Sequence, residues 1–213
     1  YGATPKVMAA LTSLVNGEPE RDASIVELTV PSAAELPKIP PEYGFKGGYA
    51  RLLLSSAIPH VSAEPPPRDI DLMRLGYGWN EIDQELSRKF MPEDFARGRG
   101  IEVIVDTERY FASRDMTLNE VMALGSTLRV SVGGLLDRWA GVLRPCRYRG
   151  GSLHRPPRVP YATAAKLVRF YAERRVRGEL WEVVGLSTEL AVPPFEIAVQ
   201  LLRALQRGEA VAE

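Results

Sequence analysis

Two aspartates one residue apart, Asp69 and Asp71, are the side chains of this sequence whose types and spacing most suggest chemistry. Side chains at positions i and i+2 of a β-strand point to the same face, so a strand here would present both carboxylates together. Carboxylates held that close repel each other, and a shared divalent cation relieves the repulsion. Mg²⁺ prefers such oxygen ligands and completes its shell with water and substrate phosphates. The alternative is a solvated strand edge that holds no metal.

A glycine pair upstream of these acids is suited to a phosphate-bearing ligand. Gly47 and Gly48 precede a predicted helix. Glycines at that position let backbone N–H groups approach phosphate oxygens closely. The same pair also fits an ordinary strand-to-helix turn that requires a positive φ angle, so both interpretations stay open.

A third polar segment, residues 113–119, follows further along the chain. It contains Arg114, Asp115 and Asn119, which could contact a nucleotide. The alternative is that Asp115 and Thr117 do no more than cap a short helix.

The order of these three segments resembles that of the class II nucleotidyltransferases, the CCA-adding enzymes and bacterial-type poly(A) polymerases. In that family they read approximately Gly-Gly-x-Val-Arg-Asp, Asp-x-Asp and Arg-Arg-Asp-Phe-Thr-Ile-Asn. The corresponding residues here are 47–51 (GGYAR), 69–71 (DID) and 113–119 (SRDMTLN). The resemblance covers about residues 25–175 and implies a head domain with the polymerase-β nucleotidyltransferase fold.

The resemblance also implies an activity and a set of site residues. The expected reaction transfers a nucleoside monophosphate from an NTP to a hydroxyl, with an RNA 3′ end as the favoured acceptor and pyrophosphate as product. Asp69 and Asp71 would hold Mg²⁺, or alternatively Mn²⁺, and Glu102 would be the third catalytic carboxylate. The residues expected to contact the incoming nucleotide are Gly47, Gly48, Arg51, Arg114, Asp115 and Asn119.

The sequence departs from the family pattern in ways that keep other functions open. Leu52 and Ser113 stand where the family has an acid and an arginine. The C-terminal helical region lacks the Glu-Asp-x-x-Arg block with which CCA-adding enzymes read the base. One alternative is a catalytically weakened module of this fold that binds nucleic acid or a protein partner. Another is an enzyme that acts on a small-molecule or protein hydroxyl.

Basic residues are concentrated between Arg138 and Arg177. This segment contains eleven Lys or Arg and one acid, a net charge of +10 in a chain whose overall net charge is zero. A local basic surface favours phosphate binding. The candidate RNA contacts are Arg147, Tyr148, Arg149, Arg155 and Arg158, with Tyr148 as a stacking residue. The alternative is that the arginines pair internally with the acidic remainder of the chain.

The hydrophobic pattern supplies the elements that must position these side chains. Residues 25–30 and 101–105 are rich in β-branched residues and predict strands, whereas the spacing of Ile82, Leu86 and Phe90 predicts a helix. Together with the resemblance, this predicts an α+β fold, a small mixed sheet with helices on one side followed by a short helical neck-like region. The expected divisions are an N-terminal helix or extension, a head domain and a basic helical region, at residues 1–20, 21–145 and 146–213.

The composition is typical of a globular chain with a sizeable core. Of its 213 residues, 45% are apolar and 25% charged, and its apolar runs are too short to predict a membrane span. The single cysteine, Cys146, excludes an internal disulfide and a cysteine-based zinc site. We therefore expect a cytoplasmic protein without a membrane partner.

Overall fold

The computed structural model of the chain describes most of the region that contains the candidate site. The described residues are 25–30, 36–58, 64–67, 69–146, 161–184, 195, 198–202 and 205. The N-terminal helix or extension expected at residues 1–20 lies outside them. Within the described ranges, no helix combines the length and the apolar content needed to cross a bilayer.

The centre of the fold is a mixed sheet of six strands in the order β1-β6-β5-β2-β3-β4. Neighbouring strands are antiparallel except β3 and β4, which are parallel. The strands are β1 (Ile25–Thr29), β2 (Tyr43–Phe45), β3 (Leu72–Leu75), β4 (Glu102–Ile104), β5 (Val121–Leu124) and β6 (Thr127–Ser131). This arrangement confirms the predicted α+β class and the mixed sheet.

Helices cover both faces of this sheet, so the expectation of helices on one side is wrong. The helices are α1 (Gly47–Ala57), α2 (Glu81–Phe90), α3 (Pro92–Ala96), α4 (Thr107–Ala112), α5 (Val132–Ala140) and α6 (Tyr161–Val176). Leu72 and Ala123 pack with Leu54 of α1 in the main core. The residues that alternate with them in β3 and β5 point the other way. There Met73 and Met122 form a second, smaller core with Tyr110 and Phe111 of α4.

The described part of the basic helical region packs directly against the sheet domain. Two short parallel strands, β7 (Val142–Leu143) and β8 (Glu182–Val183), join the two regions. Leu167 and Phe170 of α6 are buried in a cluster with Trp181 and with residues from the other region, Met116, Leu118 and Leu143. The region at 161–184 therefore forms part of the wall of the candidate site.

The two aspartates lie just before a strand rather than within one. Strand β3 begins at Leu72, and Asp69 and Asp71 belong to the segment that leads into it. The alternation of acidic and apolar residues correctly indicated extended chain, but the ladder pairing starts only where Leu72 faces Phe45 of β2. The prediction that both carboxylates share a strand face is therefore wrong, because the strand begins one residue after Asp71.

Candidate active site

The first turn of α1 is packed against Asp71. The backbone N–H of Lys46 donates to the Asp71 carbonyl oxygen at 2.9 Å. Gly47 has a φ of +58°, and a Cβ on it would lie 2.3 Å from Oδ2 of Asp71. Both the backbone conformation and the close approach require glycine here. The glycine pair thus brings one candidate metal-binding carboxylate to the positive end of a helix dipole.

Charged neighbours set the electrostatics of Asp71. Burial raises the pKa of Asp71, and the positive charges of Lys46 and Arg51 oppose that rise. Asp94 and Asp69 raise the pKa further, since their negative charges lie close enough to repel the Asp71 carboxylate. Asp71 therefore lies partly buried between acids that raise its pKa and cations that lower it, and a bound cation would offset the repulsion from Asp69.

Glu102 lies on the neighbouring strand β4, in register with Met73 of β3. Lys46 Nζ donates to its Oε2 at 2.6 Å, and Arg114 binds both carboxylate oxygens. Burial would raise the pKa of Glu102, but Arg114 and Lys46 outweigh this effect and lower it. Two cations therefore neutralise the candidate third carboxylate.

The remaining nucleotide candidates form one hydrogen-bonded row. Arg51 Nη1 donates to Asn119 Oδ1 at 2.6 Å, and Asn119 Nδ2 donates to Asp115 Oδ1 at 2.7 Å. Asp115 Oδ2 accepts from Lys166 Nζ of α6. Burial would raise the pKa of Asp115, and the charge of Lys166 lowers it. The row thus runs from α1 to α6 and fixes the orientation of the Asn119 amide.

The helix-capping alternative for residues 113–119 does not describe their contacts. A short 3₁₀ turn spans Thr117–Asn119, and no side chain caps its start. Thr117 Oγ1 instead donates to Asp137 Oδ2 of α5 at 2.8 Å. Asp115 binds Lys166 and Asn119. The side chains of Asp115 and Thr117 therefore each connect to an element that is distant in sequence.

Glu64 is a buried acid that the sequence did not single out. Arg138 Nη2 and Arg174 Nη2 both donate to its Oε1, at 2.6 and 2.5 Å, and Arg51 Nε lies 3.5 Å from its Oε2. The Glu64 side chain is 2% exposed, and those of Arg138 and Arg174 are each 1% exposed. Burial alone would raise the pKa of Glu64, but Arg138, Arg51 and Arg174 lower it to about 2.

The buried arginines that the structure describes between Arg138 and Arg177 pair with acids of the same chain. Arg138 and Arg174 bind Glu64, Arg177 pairs with Glu179 at 3.0 Å, and Arg169 pairs with Glu173. For these arginines the expectation of a phosphate-binding surface is wrong, because acids of the same chain hold them. The candidate RNA contacts Arg147, Tyr148, Arg149, Arg155 and Arg158 lie outside the described residues.

Three residues of this site were missed from the sequence, namely Lys46, Glu64 and Lys166. A signal was present for Lys46, which directly precedes the glycine pair, and for Lys166, which is spaced four and eight residues from Phe170 and Arg174 on a helix. Glu64 carried no signal of its own, since the two arginines that donate to it are 74 and 110 residues away in sequence.

The oxygens of Asp69 and Asp71 are the donors best suited to Mg²⁺ or Mn²⁺. Mg²⁺ commonly binds one or two carboxylates and takes its other ligands from water and phosphates, which fits this pair. Glu102 does not extend the donor set, because Lys46 and Arg114 hold it. Consistently, no group of three or more His, Cys, Asp or Glu side chains in the described part of the chain could hold a metal ion by itself.

Comparison of the chain with protein-family models, with curated protein sequences and with solved structures finds no significant match. A functional assignment therefore depends on the residues and geometry of the site itself.

Proposed function

We propose that this protein is a metal-dependent nucleotidyltransferase of the polymerase-β type, and that it transfers a nucleoside monophosphate from an NTP to a hydroxyl acceptor. The observation that carries the proposal is the contact between Gly47 at the start of α1 and the Asp71 carboxylate. It supports a site in which phosphates bind at a helix N-terminus and a metal-binding carboxylate lies beside them. The order of the sequence motifs supports the same reaction, with an RNA 3′ end as acceptor.

The chemistry asks chiefly for positioning and for neutralisation of phosphate charge. The acceptor oxygen forms a bond to the α-phosphorus while the bond from that phosphorus to the bridging oxygen breaks. Pyrophosphate leaves, and the hydroxyl proton passes to solvent. When bound by Asp69 and Asp71, Mg²⁺ would supply positive charge to the phosphate oxygens.

The protein's own groups account for the rest of the proposed mechanism. The first N–H groups of α1 would donate to phosphate oxygens, because no earlier helical carbonyl accepts from them. Lys46 and Arg114 supply two positive charges that are each tied to Glu102, and the charge of Lys46 also acts on Asp71. Glu102 would thereby orient both cations toward the phosphates.

A 3′-extension assay tests this function. Labelled RNAs and a tRNA pool are incubated with each NTP in Mg²⁺ or Mn²⁺, and product length is measured. We expect extension by the unaltered protein and its loss in Asp69→Asn and Asp71→Asn. Glu93→Gln is the matched control, since Glu93 is an exposed acid whose ion pair is with Arg97 on the surface of α3. Equal activity in Asp71→Asn and Glu93→Gln would contradict the proposal.

A second candidate is a catalytically weakened module of the same fold that binds nucleic acid or a protein partner. It is favoured by the internal pairing of the nucleotide candidates, in which Arg114 binds Glu102, Arg51 binds Asn119 and Lys166 binds Asp115. Thermal unfolding separates the two candidates, because a ligand stabilises only the state that it binds. Stabilisation by Mg²⁺–ATP supports the enzyme, whereas stabilisation by RNA alone supports the binding module.

A further inference from the structure

One face of α6 contacts three different parts of the candidate site. Lys166, Phe170 and Arg174 are spaced four residues apart, so they form a single stripe along the helix. Lys166 binds Asp115, and Arg174 binds Glu64. Between them, the guanidinium carbon of Arg51 lies 4.8 Å from the centre of the Phe170 ring. A helix from the C-terminal region thus touches the site from Lys166 to Arg174.

Glu64 connects this helix to the segment that carries the metal-binding candidates. Its carboxylate joins Arg51 of α1, Arg138 of α5 and Arg174 of α6. The three residues that follow Glu64 are prolines 65–67, each with a fixed φ, so this part of the chain is stiff. Pro67 also packs on the start of α1, because a Cβ added to Gly48 would lie 3.0 Å from the Cβ of Pro67.

Asp71 is held at the start of α1 by the Lys46 N–H and by the close approach of Gly47, so the position of α1 restricts where Asp71 can lie. Arg138 reinforces the junction from a third side, because its Nη1 donates to Ser55 Oγ of α1 at 2.9 Å. The Glu64 carboxylate therefore holds α1, α5, α6 and the proline segment in one arrangement.

We propose that Glu64 is a positioning residue that fixes the Asp69–Asp71 segment and Arg51 against α6, so that docking of α6 controls the geometry of the metal and nucleotide site. The proposal rests on the nucleotidyltransferase function for its consequence in binding. Glu64 itself, which is enclosed by arginines, contacts neither metal nor nucleotide and acts through the residues that it holds.

Hydrogen–deuterium exchange with mass spectrometry tests the positioning directly. We expect Glu64→Gln to increase exchange severalfold in peptides covering residues 44–54 and 69–75. Asp83→Asn is the matched control, because Asp83 is an equally buried acid bound to an arginine but belongs to the first turn of α2. That variant should increase exchange in residues 81–91 instead. Unchanged exchange at residues 69–75 in Glu64→Gln would overturn the proposal.

Binding measurements extend the test to the site, with every variant held well below its own unfolding midpoint. Mn²⁺ affinity by electron paramagnetic resonance and Mg²⁺–ATP affinity by calorimetry should fall about tenfold in Glu64→Gln, as is usual when groups that orient ligands are removed. Asp83→Asn should retain both affinities, and Glu64→Asp should recover part of the loss. Equal losses in Glu64→Gln and Asp83→Asn would overturn the positioning role.

Two further outcomes are distinguishable. If the unaltered protein binds neither Mn²⁺ nor ATP while the exchange pattern changes as expected, the nucleotidyltransferase function fails and the positioning of residues 69–75 stands. If Glu64→Gln does not fold, Arg174→Lys carries the same measurements, since it keeps the charge but loses the guanidinium that joins Glu64 to Glu179. No change in exchange at residues 69–75 in Arg174→Lys would then overturn the proposal.

Discussion

Two of the buried acids that bind arginine in the described part of the chain invite comparison, Asp83 in the first turn of α2 and Glu64 beside the candidate active site. Asp83 accepts two hydrogen bonds from Arg74, both at 2.8 Å, and one from the Tyr43 hydroxyl at 2.9 Å. It also accepts from the backbone N–H of Asn80 in a capping box at the start of α2. One carboxylate therefore meets one guanidinium, and the remaining acceptor capacity is used by neutral donors.

The cluster around Glu64 has a different charge balance. Arg51, Arg138 and Arg174 surround the single carboxylate of Glu64, and Glu179 pairs with Arg174 and Arg177. A further buried acid, Glu173, lies close enough to Arg177 to act on its charge. Burial, reinforced by the neighbouring arginines, lowers the pKa of Arg138 to about 10 despite the presence of Glu64.

The difference between the clusters separates a local structural role from a functional one. Arg74 and Asp83 are nine residues apart and fasten one helix to its neighbouring strand. Glu64 joins elements from three distant parts of the chain, and one of its arginines, Arg51, reaches the row of nucleotide candidates. We therefore interpret the Glu64 cluster as part of the site.

The largest effect is expected for Glu64→Gln. The substitution leaves three buried arginines without their shared carboxylate, so the free energy of unfolding should fall toward the upper end of about 3–5 kcal/mol. Urea unfolding at neutral pH, followed by circular dichroism, measures this loss. A loss below about 1 kcal/mol would show that the arginines find other partners, and the contrast between the clusters would disappear.

A smaller loss of about 3 kcal/mol is expected for Asp83→Asn. Only one guanidinium loses its counter-ion, and Arg74 keeps the Gly78 carbonyl as an acceptor at 2.5 Å. Urea unfolding provides the value, and Mg²⁺–ATP affinity provides the contrast, since this cluster lies away from Asp71. Weakened nucleotide binding in Asp83→Asn would contradict the assignment of a purely structural role.

Acid should weaken the Glu64 cluster over a defined range. The pKa of Glu64 in the folded protein is about 2, below its ordinary value of 4.5, because Arg138, Arg51 and Arg174 outweigh burial. A depressed folded pKa gives stability that is complete above pH 4.5 and is lost as the pH falls toward 2. By pH 3 the loss from this group should be roughly 2 kcal/mol.

The Glu64→Gln and Asp83→Asn variants separate the acid-dependent stability due to Glu64 from that due to the other acids of the chain. Urea unfolding at pH 7, 4.5 and 3 should show a shallower decline in Glu64→Gln than in the unaltered protein. Asp83→Asn should keep the Glu64 component, although its own acid component is lost because the pKa of Asp83 is also lowered in the folded state. Parallel declines in the unaltered protein and Glu64→Gln would refute the depressed pKa of Glu64.

Much of the fold could be predicted from local sequence patterns, but features that depend on tertiary contacts could not. The β-branched runs at β1 and β4 and the glycines at the start of α1 identified those elements, since strand and helix signals are contained within a few residues. The start of β3 at Leu72 could not be read from the alternation, because ladder pairing with β2 decides it. The packing of α4 on the second face likewise depends on tertiary contacts of Tyr110 and Phe111.

The candidate site divides in the same way. The motifs identified Gly47 and Asp71, which the structure brings into contact, and Gly48, which packs against Pro67. They did not identify Glu64, because an acid beside prolines gives no sign of arginines far along the chain. Net charge misled for Arg138 and Arg174, since a count of basic residues does not show which acids approach them in space.

Lys166→Met should have the smallest effect on stability. It should also separate nucleotide binding from folding most clearly. The side chains of Lys166 and Asp115 are 39% and 26% exposed, so removing this ion pair should cost less than about 1 kcal/mol of unfolding free energy. Lys166 nevertheless ends the row that orients Asn119 and Arg51, so Mg²⁺–ATP affinity should fall severalfold. Arg175→Met is the matched control, because Arg175 is an exposed cation on the same helix. Calorimetry and urea unfolding of both variants decide the matter: a Lys166→Met protein that binds Mg²⁺–ATP as tightly as Arg175→Met would exclude α6 from the site and leave Glu64 a structural residue like Asp83.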